Sequence, residues 1–320
     1  MGIKKLYKYL SDNKIIKYKQ LSEYNGKKVA IDISILLYQL VISIRNSGDD
    51  LRNKKGEVTS HILGLFNKTI WLINNNIIPV YIFDGKPPAI KKNTLNHRRN
   101  IRAKAKEKEQ KSINEEDRIK YFKRTTVITT EQMDQCKELL HYMGVPYFQA
   151  EGEADILCAQ LCKYGYVDAV STEDMDILTF GSINIVKNIF SRRKQIEEIC
   201  LEDILSKLKM SQDKFIRFCI FLGCDYNIPI KEMNFDYAKK LTNKYSNDIE
   251  LKNGTDILPS DFSIDLPYQY FVNQEFNLKN IHLKIEKPND KLLDLLVKNY
   301  GLIKHKILWK INLLKNISPV

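Results

Sequence analysis

Residues 77–83 read IIPVYIF, a short apolar run rich in β-branched residues that stops at Asp84 and Gly85. Its length and composition are those of a β-strand. Upstream, KVAIDI (28–33) has the same character. Between the two, Ser60 to Asn74 reads as a helix, with Ile62, Leu65, Phe66, Thr69, Ile70 and Ile73 on one face. Strand, helix and strand form a βαβ unit, which implies a parallel sheet and a right-handed crossover. The rhythm resumes with a helix from Glu131 to Met143, ended by Gly144 at C′. VPYF (145–148), a helix from about Gly152 to Lys163, YVDAV (166–170) and a strand near Asn184 to Phe190 follow. Beyond residue 200 the patterns are mainly helical. The fold class expected is α/β, a parallel-sheet core with helices on both faces, a helical insert and a helical C-terminal part.

The chain has 320 residues, of which 43% are hydrophobic and 28% charged, a balance that excludes a disordered or fibrous protein. Lys and Arg number 51 against 39 acids, so the net charge of +12 points to a polyanionic partner. No membrane partner is expected. The most apolar stretch, Val29 to Ile44, is interrupted by Asp32, Ser34 and Gln39 and falls short of the roughly 20 residues a span requires. The start, MGIKKLYKYL, lacks a secretory apolar region, and Leu6 stands where a myristoylation signal needs Ser or Thr. Six cysteines without a CxxC pair suit reduced thiols. Cys158 and Cys162, one helical turn apart, read as core residues. An intracellular location is expected: the nucleus for a eukaryotic cellular protein, a cytoplasmic replication site for a viral one.

The sharpest compositional shift lies between Lys86 and Arg124. Fourteen Lys or Arg against five acids give that segment a surplus of +9, most of the whole chain's +12. Apolar residues are sparse there, and Ala, Lys, Glu and Arg favour helix. A solvated helix and a helix facing nucleic acid both fit.

Three strands run into acids at or near their carboxyl ends: Asp32 after VAI, Asp84 after VYIF, and Glu173, Asp174 and Asp176 after DAVST. Ligands of open parallel sheets bind outside the carboxyl ends of the strands, so these acids are expected on one edge. Glu153 and Asp155 at a helix start, and Asp225 after FCIFLG, add to an acidic pocket in a basic protein. Crowded carboxylates repel and either take up protons or hold cations. An all-oxygen donor set without His or Cys favours magnesium or manganese, and two such ions can clamp an in-line phosphoryl displacement. The residues thus indicate a metal-dependent nuclease. A haloacid-dehalogenase-type phosphatase is excluded, because Asp32-Ile-Ser34 stands where that chemistry needs Asp-x-Asp.

MGIKKL, GKKVAIDIS, GEVTSHILGLFNKTI, VYIFDGKPP, EGEAD, STEDMDILTFG and FLGCDY, in this order and spacing, resemble the flap endonucleases within the structure-specific 5′ nuclease family. The resemblance runs from Met1 to about Tyr226 and weakens to about residue 315. It implies an N-terminal nuclease region over 1–107 with a basic helical arch at about 86–130, an internal nuclease region over 141–227 and a C-terminal helical DNA-binding region over 228–320, together one compact nuclease domain. Position by position it implies metal coordination by Asp32, Asp84, Glu153, Asp155, Asp174, Asp176 and Asp225. Two Mg2+ ions are expected, with Mn2+ able to substitute. Asp155 is Glu in many relatives, which shortens its reach.

Lys91 and Arg98 match the basic pair that reaches the scissile phosphate, and their spacing of seven, two helical turns, places them on one face. Tyr38 matches an aromatic stacking on the terminal base. Gly2 matches a residue packed beside the active site. Arg45, Thr59 and Ser60 match a pocket for a one-nucleotide 3′ flap, with Arg102 a further DNA contact. Lys54 and Lys55 replace acids near that pocket.

The resemblance also implies a glycine-rich helix-two-turn-helix whose carbonyls hold potassium. Here 228–240 reads IPIKEMNFDYAKK: Glu232 and Asn234 replace glycines and Asp236 adds an acid, so a weaker grip on duplex is expected. KINLLKNISPV (310–320) contains no sliding-clamp motif. The expected partner is branched or flapped DNA, bound by a monomer. Alternatives are a 5′–3′ exonuclease or junction-cutting nuclease of the same family, an RNA-directed activity, or a non-catalytic DNA-binding relative.

Overall fold

The structure, a computed structural model, describes residues 2–45, 52–53, 55–112, 114, 117, 121, 125, 127–254, 258–274 and 281–316, without the side chains of 43–45. In chain order the first elements are α1 (Leu6–Asp12), β1 (Lys17–Lys19), β2 (Lys28–Asp32), α2 (Ile33–Arg45), α3 (Ser60–Asn74) and β3 (Ile78–Phe83). Next come α4 (Lys92–Lys111), α5 (Thr130–Met143), β4 (Tyr147–Gln149), α6 (Ala154–Lys163), β5 (Ala169–Ser171), β6 (Asn184–Lys187) and β7 (Ile196–Cys200). The C-terminal part carries α7 (Leu201–Leu208), α8 (Gln212–Leu222), α9 (Phe235–Lys244), α10 (Asp248–Gly254), α11 (Asp265–Val272) and α12 (Lys304–Lys315). Among the described residues, no helix is long and apolar enough to cross a membrane.

The chain divides into two compact units, each assembled from separated segments. One comprises Met1–Gln20, Gly85–Thr94 and Ala150–Lys279; the other comprises Leu21–Asp84, Leu95–Gln149 and Asn280–Val320.

In the second unit β2, β3 and β4 pair in parallel, with Asp32 opposite Ile82 and Phe83 opposite Gln149. Every residue of β3 is buried, as its unbroken apolar run requires. Tyr81 is fully buried, and its hydroxyl meets that of Thr69 on α3 at 2.8 Å; Thr69 in turn donates to the Leu65 carbonyl. Each such large apolar side chain contributes about 1.5–3 kcal/mol on burial. α3 spans the expected residues. α5 ends at Gly144 with φ +69°, and a Cβ there would press on the Glu286 carbonyl. β4 begins later than VPYF suggests, because Pro146 has no N–H and joins β3 only through its carbonyl, which accepts from Tyr81 N at 3.1 Å.

In the first unit the strands run β1-β7-β6-β5. β5 and β6 are parallel, whereas β6–β7 and β1–β7 are antiparallel. The expected parallel pairing thus holds for β5 and β6, and β7 and β1 add an antiparallel edge to it. IEEIC (β7) carries acids between its apolar residues, and the edge strand KYK (β1) is too short for a pattern. β6 stops at Lys187 because Asn188 turns left-handed at φ +63°. α8 is capped by the Ser211 side chain and ends at Gly223, φ +105°, whose carbonyl accepts from Lys4 N at 3.0 Å. That turn delivers Cys224, Asp225 and Tyr226.

Candidate active site

Asp174 lies three residues beyond β5 and caps the 3₁₀ turn Met175–Leu178, its Oδ1 accepting from Asp176 N at 3.1 Å. Thr172 Oγ1 accepts from Asp174 N at 3.0 Å, which fixes the entry to the turn. The turn brings Asp176 beside Asp174, and the loop after α8 adds Asp225. One carboxylate oxygen from each of the three lies within 4.8 Å of the other two. Asp174 and Asp176 are 6% and 2% exposed. Burial first, then Asp174 and Asp225, hold the Asp176 carboxyl well above the usual carboxylate range. Burial and the Asp225 charge also raise Asp174, against the hydrogen bond from Asp176 N. Both oxygens of Asp176 are buried and lack a hydrogen-bond partner among the described residues. An acceptor-only group so placed fits a hard cation, as does an all-oxygen donor set.

Gly2, at φ +74°, makes room for this turn: a Cβ there would collide with Asp174 Oδ1 and lie 2.7 Å from Asp176 N. The structure thus puts Gly2 against the carboxylate turn of Asp174 and Asp176.

Lys91 closes the 3₁₀ turn Ala89–Lys91 that precedes α4, so only Arg98 of the basic pair is in the helix. The seven residues between them therefore cover the end of a 3₁₀ turn as well as the first turns of α4. Buried at 8% exposure, the Lys91 ammonium bonds Glu153 Oε1 and lies 3.8 Å from Asp225 Oδ2. Burial works against its charge, but Glu153, then Asp225 and Asp155, outweigh it and hold Lys91 above its ordinary pKa. Glu153 stands at the N-cap of α6 with Asp155 in the first turn. Its other oxygen, Oε2, accepts from Tyr226 at 2.7 Å and Tyr270 at 3.1 Å. Thr94 Oγ1 donates to the Asp225 carbonyl at 2.7 Å, fixing the start of α4.

Asp32 and Asp84 belong to the second unit, at the end of β2 and just past β3. Ser34 joins them: its N–H donates to Asp32 Oδ1 at 2.8 Å and its hydroxyl to Asp84 Oδ2 at 2.7 Å. Tyr38 lies on α2 and is 40% exposed. Thr59 precedes α3 and Ser60 begins it, both buried. Arg102 donates from Nε to the Arg98 carbonyl at 3.4 Å, one turn back on α4. The Arg45 side chain and Lys54 lie outside the described residues, as does part of the expected arch after Ser112. Glu173 pairs with Lys187 at 3.1 Å. Cys158 and Cys162 are buried free thiols.

The family models for the XPG N-terminal domain and the XPG I-region match residues 1–105 and 144–225. Flap endonuclease 1 of Nematostella vectensis is 39% identical over 306 residues, covering 92% of this chain and 81% of the relative. The chain belongs to the flap endonuclease family. The Homo sapiens flap endonuclease 1 is 37% identical over 92% of this chain and 80% of its own. A flap endonuclease structure from Methanococcus jannaschii superposes with a TM-score of 0.74 at 32% identity, covering 94% of this chain and 95% of that one. The catalytic core of Rad2, solved with a DNA substrate, shares the fold with a TM-score of 0.75 at 23% identity, over 98% of this chain and 100% of that one. Divalent-metal dependence is general in the flap endonuclease family. Around its acidic cluster, this family member adds residues that sequence reasoning missed. Tyr226 adjoins a predicted ligand and was within reach. Tyr270 is 117 residues from Glu153, and no local pattern joins them.

Proposed function

We propose that this chain is a divalent-metal-dependent, structure-specific 5′ nuclease that hydrolyses phosphodiesters at 5′-flap junctions of DNA in replication and repair. The observation that carries the reading is the triad of buried Asp174, buried Asp176 and half-buried Asp225, with both Asp176 oxygens unsatisfied among the described residues and the Lys91 ammonium 3.8 Å from Asp225. These three, with Glu153 and Asp155, are the proposed ligands for magnesium in the first unit. The proposal of Asp32 and Asp84 as ligands, and of two ions replaceable by manganese, rests on the sequence resemblance. The chemistry such ions supply is activation of the attacking water and stabilisation of the leaving oxygen.

The chain's own residues do the rest. Lys91 supplies a fixed positive charge beside the carboxylates, where it offsets negative charge growing on a phosphate. Arg98 is proposed to act with it. Gly2 leaves the turn free of side-chain intrusion. Tyr38 is proposed to stack on a terminal base, Arg45, Thr59 and Ser60 to receive the 3′ end, and Arg102 to contact phosphate. The proposed partner is branched DNA, bound by a monomer inside the cell at sites of replication.

The test uses a 5′-labelled double-flap DNA, a nicked duplex and a single strand, each with magnesium or EDTA, and Asp174→Ala as control. Magnesium-dependent release of the intact flap, lost in the variant, is expected. Mononucleotide release from the nick would move the chain to the exonuclease branch. Binding without cutting in magnesium and manganese would overturn the catalytic reading.

A further inference from the structure

Glu153 is held from both ends of its carboxylate. Lys91 occupies Oε1, while the phenols of Tyr226 and Tyr270 both donate to Oε2, because a carboxylate is acceptor-only. Rotating Glu153 therefore breaks three hydrogen bonds. Tyr226 follows Asp225 directly, but Tyr270 arrives from α11, beyond both family-model matches.

The surroundings of α11 are built to place that hydroxyl. At its start, Asp248 accepts from the Ser263 hydroxyl at 2.7 Å and from the N–H groups of Ile264 and Asp265. Asn227, one residue past Tyr226, donates to the Ser263 carbonyl at 2.6 Å, tying the Asp225 loop to the same point. Beyond the end of the helix, Gln160 on α6 donates to the Gln274 carbonyl at 3.2 Å, and Gln274 donates back to the Tyr270 carbonyl at 2.7 Å. α6 is the helix that Glu153 caps. The Tyr270 ring packs on Tyr226 with centroids 4.8 Å apart and on Phe180 at 6.0 Å. Both ends of α11 are thus tied to elements that carry the acidic site, and its one phenol facing that site ends on Glu153.

We propose that Tyr270 is a positioning residue for the metal centre: its hydroxyl fixes the orientation of Glu153 and so sets divalent-ion affinity. The inference rests on the nuclease reading above. Groups that orient ligands change metal affinity or activity by about 10–100-fold when removed. Tyr226 shares the load, so the loss for Tyr270 alone falls at the lower end.

The test compares wild type, Tyr270→Phe, Glu153→Gln and the double variant. Manganese affinity is measured by calorimetry, and the magnesium dependence of cleavage by titration on the double-flap DNA. Tyr270→Phe keeps the ring and its packing, so its melting temperature in EDTA should stay near that of wild type. Its manganese Kd should rise about tenfold, and the magnesium needed for half-maximal cleavage should rise with it. DNA affinity measured in calcium should not change. In the Glu153→Gln background, Tyr270→Phe should have less than about a twofold effect on manganese affinity, since its acceptor is altered. Wild-type manganese affinity in Tyr270→Phe would overturn the proposal. So would an equal loss with and without Glu153, which marks a packing role. A wild-type protein with neither manganese affinity nor cleavage would instead overturn the nuclease reading itself.

Discussion

The Lys91 ammonium is bonded to the Glu153 carboxylate and lies 3.8 Å from Asp225. A buried monovalent cation thus sits among carboxylates that fit a divalent one. If Lys91 serves the phosphate, its loss must cost chemistry more than binding. Lys91→Met should lower kcat about 100- to 1,000-fold, by the scale of one lost charge-stabilising donor, with little change in DNA affinity measured in calcium. It should also tighten calcium binding, because a competing positive charge is gone. Equal losses in turnover and DNA affinity would sink the transition-state role.

Asp176 gives a prediction with the opposite sign for stability and activity. Its pKa is raised in the folded metal-free protein, chiefly by burial and then by Asp174 and Asp225. A raised folded pKa contributes stability that is present below the unfolded value and lost as pH rises through the folded value. In EDTA, the contribution of this carboxyl should therefore fall as pH rises from the acid range towards its raised pKa. Asp176→Asn removes the charge. At neutral pH in EDTA it should raise the melting temperature by about 2–4 °C, the shift about 1 kcal/mol produces in a large domain. It should also abolish the stabilisation that magnesium confers on wild type. Scanning calorimetry with and without magnesium reads both effects, and an unchanged magnesium shift would remove Asp176 from the ligand set.

The sheet and the carboxylates were legible because their signals are local. IIPVYIF and KVAIDI are strands by composition, and the acid at or after each carboxyl end follows from where a parallel strand stops. β7 was not legible: its antiparallel pairing with β1 joins residues such as Lys17 and Glu198 that share no sequence pattern. Lys91 and the carboxylates were each nameable from the sequence, yet the pairing of Lys91 with Glu153 was not. That Lys91 meets Glu153, 62 positions away, depends on how two loops fold back.

Gly2 offers a steric test. Alanine would have to adopt φ +74° and would place its Cβ against Asp174 Oδ1 and Asp176 N. The left-handed conformation alone costs about 1–2 kcal/mol for a residue with a Cβ. Gly2→Ala should lose cleavage at least about tenfold through displacement of Asp174, with circular dichroism checking that it stays folded. Near-normal kcat in Gly2→Ala would show that the carboxylate turn tolerates movement.

The segment 228–240 carries the final prediction. Glu232 takes φ +56°, a conformation suited to glycine, and Asn234 caps α9 by accepting from Tyr237 N at 2.8 Å. Between them, the Met233 carbonyl accepts from the Lys5 ammonium at 2.6 Å. A carbonyl in this turn is therefore already paired with a positive charge from the chain itself. If that ammonium does the work of a monovalent cation, affinity for nicked duplex should be the same in potassium and sodium at matched ionic strength. Lys5→Met would free the carbonyl, and duplex affinity should then fall in sodium and recover in potassium. Fluorescence anisotropy on a labelled nicked duplex, with calcium in place of magnesium, measures both. The expected wild-type potassium-to-sodium ratio is about one, and the salt dependence should stay steep because phosphate contacts dominate. A severalfold strengthening of wild-type binding by potassium would show that Lys5 leaves the ion's place open, and that the loss of glycine at Glu232 and Asn234 has not changed how this turn meets DNA.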